Sequence, residues 1–173
     1  MGCWLIFAVT WIVGWIYNLV RSPKIERRRF SPMVLVGAGA LWLVSWLIPA
    51  RVWDAVTVDH WAFRDLGTAL LVAGTAFALW ARVTMGTMWS GIPAQRAGHV
   101  LCTTGPFAIT RHPIYAGVLA MLLGTALVYG LGSWLAPVLA AAIGLSLKIR
   151  DEEKLMSETF GDEYARYRRR AKV

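Results

Sequence analysis

The chain has 173 residues, of which 57% are hydrophobic and 16% charged, with ten tryptophans and a mean hydropathy of +0.52. A soluble globular domain covers itself with more charge than this, so the composition points to a membrane protein. The net charge of +8 would point to nucleic acid in a soluble protein, but most of it lies between apolar blocks, so the partner is the bilayer surface and not nucleic acid.

Five blocks, 3–20, 33–50, 66–83, 113–130 and 132–147, approach the roughly 20 apolar residues that a helix needs to cross a hydrocarbon core of about 30 Å. None alternates polar and apolar residues over strand length, which excludes a closed barrel. The expected fold is all-α: an integral membrane helical bundle with about five transmembrane helices, forming a single membrane domain over 1–173. Residues 1–65 carry the first two helices. Residues 66–173 form a core with a long loop, 82–112, and a tail, 148–173.

Nothing basic precedes the first block, whereas Arg21, Lys24, Arg27, Arg28 and Arg29 follow it. It reads as a retained helix with its N-terminus outside rather than a secretory signal. Five crossings from that start put the loops after helices one and three, and the tail, in the cytoplasm, and those segments hold 16 of the 18 basic residues. Trp4, Trp11 and Trp15 fall near one face of the first helix, for lipid contact or a partner helix, and no obligate protein partner is inferred. Cys3 and Cys102 lie on opposite sides of the membrane and are not expected to pair.

The stretch 82–112 is long for a connection in a small bundle. Met85, Met88, Trp89, Ile92, Val100, Leu101 and Phe107 give it too much apolar surface to remain in water, so it is expected to fold against the cytoplasmic mouth of the bundle. It ends in Arg111-His112-Pro113, with Pro113 placed as the first residue of the fourth helix. Two cationic or titratable side chains then stand beside free N–H groups at the positive end of a helix dipole. Such a pair either anchors the helix at phospholipid phosphates or forms an anion site.

Only Gly130-Leu131-Gly132 separates the fourth block from the fifth, so the two helices form a tight hairpin. The start of one and the end of the other then share a depth. The fifth helix, continued into the tail, puts Lys148 and Glu152 on one face and Glu153 about a quarter-turn round, within reach of Arg111 and His112. Met156, Phe160, Tyr164 and Tyr167 recur at helical spacing, with Gly161 allowing a bend, and form a stripe that packs on the loop or lies at the interface. Arg166, Arg168, Arg169 and Arg170 face anionic headgroups of the membrane lipids. His60, His99 and His112 lack ligand spacing, so no metal is expected, and no Walker loop, dinucleotide fingerprint or serine elbow is present.

Six short motifs stand in order between Ala81 and Arg168: Thr84-Met85-Gly86, Gly98-His99-Val100-Leu101, Gly105-Pro106-Phe107, Arg111-His112-Pro113-Ile114-Tyr115-Ala116-Gly117, Glu152-Glu153, and Phe160-Gly161-Asp162-Glu163-Tyr164 with Tyr167. In this the chain resembles the isoprenylcysteine carboxyl methyltransferase family and its relatives among integral-membrane phospholipid methyltransferases.

The resemblance implies an S-adenosylmethionine-dependent membrane methyltransferase with its site at the cytoplasmic face. A lipophilic acceptor, such as a prenylcysteine carboxylate, would enter from the bilayer. Arg111 and His112 are expected near the methionine carboxylate, Glu152 and Glu153 at the ammonium or ribose hydroxyls, and Tyr115 beside the sulfonium or adenine. His99 and the backbone near Val100 and Leu101 would close over adenine, while Lys148 or Arg150 would orient the acceptor carboxylate. Two positions depart from the family pattern: Lys148 stands where arginine is common, and Phe107 where tyrosine is usual. A phospholipid amine or small thiol is an alternative acceptor. An NADPH-dependent sterol or enone reductase, which also carries Arg-His-Pro before a helix, and a non-catalytic lipid-binding protein are the competing readings.

Overall fold

A computed structural model of the chain describes residues 2–28, 37, 39–40, 43, 45–58, 60–89, 94–96 and 100–171. Eight of the 18 residues of the expected second crossing, 33–50, fall outside these residues, as does His99. Helix α1 (Gly2–Arg21) is apolar almost all round and leaves Leu5, Ile6, Val9, Ile12 and Val13 exposed, as a lipid-facing helix must. After the short α2 (Ala50–Asp54) comes α3 (Trp61–Met85), whose first turn is capped by His60: its Nδ1 accepts from the Ala62 N–H at 3.2 Å. Helix α4 (Pro113–Val128) starts on Pro113, where no N–H is needed, and α5 (Leu135–Phe160) runs unbroken from the hairpin into the tail. Helix α6 (Asp162–Arg170) follows.

Three helical stretches, Gly2–Arg21, Trp61–Met88 and Gly132–Phe160, are long and apolar enough to cross a membrane. The 16 residues of α4 reach only about 24 Å at the ordinary helical rise. Pro113 fixes one end of α4 and the Gly130–Gly132 turn the other. Among the described residues the bundle thus holds three helices of crossing length and one shorter apolar helix, where the sequence predicts five crossings. One small sheet also modifies the all-helical expectation. Strands β1 (Ile25–Arg28) and β2 (Ala94–Arg96) pair antiparallel, with Ile25 opposite Arg96 and Arg28 opposite Ala94. Loop backbone brought together in this way satisfies its own N–H and C=O groups.

The most extensive helix contact is between α3 and α4, and glycines make it close. A Cβ on Gly67 would stand 2.7 Å from the Gly124 carbonyl oxygen, and one on Gly74 would stand 2.8 Å from that of Gly117. The two pairs are one heptad apart on each antiparallel helix, so backbones touch where apolar lipid offers no competing hydrophobic drive. Because a Cβ on Gly117 would stand 2.8 Å from both the Ala78 Cβ and the Gly74 carbonyl oxygen, Gly117→Ala is expected to destabilise the protein by about 1–3 kcal/mol, measured as a lowered unfolding midpoint of the purified protein.

The hairpin between α4 and α5 turns through Gly130, Leu131 and Gly132 at φ of 83°, 63° and 46°. Leu131 is held there by a bond from its N–H to the Ala126 carbonyl at 2.6 Å, and the Gly130 carbonyl accepts from Val58 N–H at 2.9 Å. At the other end of α5, Gly161 at φ 48° bends the chain into α6. Tyr164, Tyr167 and Ala171 are buried there against Leu101, Met156 and Phe160, so the aromatic stripe packs on the loop.

Candidate functional site

The 3-10 turn Gly105–Ala108 buries Pro106 and Phe107 and delivers the chain to the start of α4. His112 is the residue before the first helical turn of α4, and Tyr115, three positions on, lies on the same face. Their rings are parallel, with centroids 5.8 Å apart and planes 6° from one another.

Across from them, α5 presents Glu152 and Glu153. Glu153 Oε1 accepts from three groups: Arg111 Nε at 2.9 Å, His112 Nε2 at 2.8 Å and the Tyr164 hydroxyl at 2.7 Å. Arg168 Nε approaches its other oxygen at 3.6 Å. Glu152 takes a hydrogen bond from the Tyr115 hydroxyl, and its Oε2 lies 3.6 Å from His112 Nδ1. The four motif residues Arg111, His112, Glu152 and Glu153 thus converge as the hairpin geometry predicts.

Helix α6 closes the arrangement from behind. Arg111 Nη1 donates to the Ala171 carbonyl at 2.7 Å, and the Tyr167 hydroxyl donates to the Phe107 carbonyl at 2.7 Å. Burial and the bond to Glu153 raise the Tyr164 hydroxyl above its ordinary range, and burial pushes that of Tyr167 up to about 12, so both remain protonated donors. Tyr167→Phe strips the buried Phe107 carbonyl of its donor. It is expected to cost about 1–3 kcal/mol, read as a fall in the thermal midpoint.

These side chains border a cavity of about 360 Å³. Its polar lining is Arg111, His112, Tyr115, Lys148 and Glu152, and its aromatic and sulfur lining is Phe7, Trp11, Met85, Trp89 and Phe107. Lys148 Nζ stands 5.1 Å from the centre of the Tyr115 ring. One helical turn separates Lys148 from Glu152, so both face inward, whereas Glu153 lies round the helix and joins Arg111 and α6 instead of lining the cavity.

The remaining expected site residues lie elsewhere. Arg150 is half a turn from Lys148 and exposed. Val100 is 71% exposed and Leu101 packs on the Tyr164–Tyr167 cluster, so neither lines the cavity. Nine of the 14 lining residues were not among the expected site residues. Phe7 and Trp11 come from α1 and stack at 4.1 Å, and the signal for them was the spacing of Trp4, Phe7 and Trp11 at three and four residues. Trp15, grouped with Trp4 and Trp11 in the sequence, is exposed.

The model of the isoprenylcysteine carboxyl methyltransferase family matches residues 67–158, from α3 through the glutamate pair. The chain is 34% identical over 95 residues to a protein-S-isoprenylcysteine O-methyltransferase of Schizosaccharomyces pombe, covering 52% of this chain and 39% of that protein. To the enzyme of the same name in Tribolium castaneum it is 25% identical over 148 residues, covering 79% and 49%. It is 34% identical over 134 residues to the nickel-cobalt-cadmium resistance protein NccN of Alcaligenes xylosoxydans xylosoxydans, covering 72% and 55%. The chain therefore spans about two-fifths to just over half the length of these relatives. Among solved structures, the eukaryotic intramembrane Ras methyltransferase superposes with a TM-score of 0.61 at 24% identity, over 83% of this chain and 52% of that one, a likeness of fold.

Proposed function

The chain belongs to the isoprenylcysteine carboxyl methyltransferase family, and from that membership we propose an integral-membrane enzyme that moves the methyl group of S-adenosylmethionine to a lipophilic acceptor carboxylate, such as that of a prenylcysteine. The observation that carries the reading is a cavity lined both by polar side chains of the family-like motifs and by aromatic rings. The donor set suits the ligand. S-adenosylmethionine has a carboxylate, an ammonium, a sulfonium and a flat base, and the lining offers cations, a carboxylate and rings.

When bound, the donor supplies an electrophilic methyl on a sulfonium centre. Glu152 would receive the ammonium, its carboxylate fixed by the Tyr115 hydroxyl, and the Tyr115 ring would offer its face to the sulfonium. Arg111 and His112 present positive charge or N–H donors toward the donor carboxylate, while Glu153 keeps both in place. Lys148 orients the acceptor carboxylate as a point charge, without the bidentate grip of an arginine. The aromatic lining excludes water and holds hydrocarbon, so the protein's contribution is alignment in a dry site. Arg150, Val100 and Leu101 have no part in this reading, because none of them lines the cavity.

We read the whole chain as one membrane domain with the site on the cytoplasmic side, since the basic residues gather in the segments that flank it. The family membership favours methyl transfer over a nicotinamide-dependent reduction. In lipid nanodiscs, titration with S-adenosylmethionine is expected to give saturable heat, and labelled methyl groups are expected on prenylcysteine carboxylates in preference to phospholipid amines or small thiols. Saturable NADPH binding with no response to S-adenosylmethionine would select the reductase, and no response to either would overturn both.

A further inference from the structure

One stripe of α1 is given over to holding the aromatic wall of the cavity. Trp4, Phe7, Trp11, Gly14, Asn18 and Ser22 follow one another at three- and four-residue steps and so face one way. Trp4 Nε1 donates to Thr125 Oγ1 on α4 at 3.0 Å. Trp11 meets the Trp89 ring edge-on at 5.8 Å. Asn18 Nδ2 donates to the Trp89 carbonyl at 3.3 Å, and Ser22 Oγ to that of Thr87 at 2.7 Å.

Gly14 makes room for something else. A Cβ there would lie 2.6 Å from Arg82 Nη2, so the guanidinium at the end of α3 is seated directly against the backbone of α1. Arg82 is only 5% exposed. Its Nη1 donates to the Gly86 carbonyl at 2.9 Å, its guanidinium carbon stands 4.6 Å from the centre of the Trp89 ring, and its Nε has no hydrogen-bond partner among the described residues. A buried cation with so few hydrogen bonds is a costly thing to keep for stability alone. Neither Arg82 nor Gly14 lines the cavity, whereas Trp89 and Trp11, which they hold, both do.

We propose that Arg82 is a positioning residue: seated through Gly14 into α1, it sets the Trp89 ring as a wall of the cavity and so fixes the length of hydrocarbon that the acceptor may carry. The residues of α1 in this clasp lie outside the family match, which begins at residue 67. What the wall selects rests on the methyltransferase reading, but the clasp itself does not.

The test uses the full chain in nanodiscs, with Arg82→Met, Arg82→Lys and Gly14→Ala. Gly14→Ala displaces the guanidinium tip without altering any cavity residue. With prenylcysteines of two chain lengths, Arg82→Met and Gly14→Ala are expected to raise the acceptor KM by about tenfold, the scale of a desolvated cation–ring contact, and to narrow the preference between the two lengths. The kcat at saturating acceptor and the affinity for S-adenosylmethionine should stay within about twofold, a split that general destabilisation would not produce. Arg82→Lys, which keeps the charge, should recover part of the preference.

Fluorine NMR of fluorotryptophan-labelled protein, with the Trp89 signal identified by its loss in Trp89→Phe, gives a readout that needs no activity. That signal is expected to shift or broaden in Gly14→Ala and Arg82→Met. An unmoved signal in both overturns the clasp. A moved signal with unchanged acceptor preference overturns the selective role. Absence of methyl transfer in the unaltered protein overturns the methyltransferase reading and the selective role together, and leaves the fluorine result to decide the clasp.

Discussion

Glu153→Ala is expected to destabilise the protein by about 3–5 kcal/mol, because it leaves a buried guanidinium without its counter-charge. The side chains of Arg111 and Glu153 are 9% and 18% exposed, and one carboxylate oxygen accepts from Arg111, His112 and Tyr164 together. Removing it orphans three donors drawn from the loop, the start of α4 and α6. Glu153→Gln, which keeps the shape and loses the charge, should fall between the variant and the parent. Thermal unfolding in nanodiscs checks both. A midpoint for Glu153→Ala equal to that of the parent would show that water or a rearranged partner replaces the carboxylate at no cost.

Glu152→Gln is expected to have the opposite profile. Glu152 lines the cavity, and its hydrogen bond from the Tyr115 hydroxyl is one that a glutamine oxygen also accepts, so stability should change little. Loss of its charge toward the donor ammonium should weaken S-adenosylmethionine by about 1.5–3 kcal/mol. That corresponds to about ten- to a hundredfold in Kd by calorimetry. The two adjacent glutamates are thus separable, one by unfolding and the other by ligand titration. Unchanged affinity in Glu152→Gln would remove the carboxylate from the ligand site and require the cavity to be read the other way round.

The convergence of Arg111, His112, Glu152 and Glu153 was legible in the sequence because it depends on chain length alone: two helices joined by Gly130-Leu131-Gly132 must bring the start of one beside the end of the other. What each residue does there was not. Glu152 and Glu153 look equivalent until it is known where α6 lies, and α6 turns back only because Gly161 takes φ 48°. Lys148 and Arg150 look equally suited to a carboxylate until the rotation of α5 sends one inward and the other to the surface.

The contribution of α1 was hidden for a different reason. In a helix that is apolar on every side, a stripe that packs on protein carries the same residue types as the faces that meet lipid, so hydropathy does not reveal it. Gly14 and Asn18 depart from that pattern, and both mark the contact with Arg82 and Trp89. The glycine pairs of α3 and α4 were visible as seven-residue spacings. Nothing in the spacing said which two helices they would join.

The shortness of α4 bears on the lipid around the molecule. A helix some 6 Å short of a hydrocarbon layer about 30 Å thick either draws the leaflets together beside it or leaves its ends submerged beneath the headgroup plane. In both cases the acyl chains beside the ends of α4, with Pro113 at one of them, are disturbed.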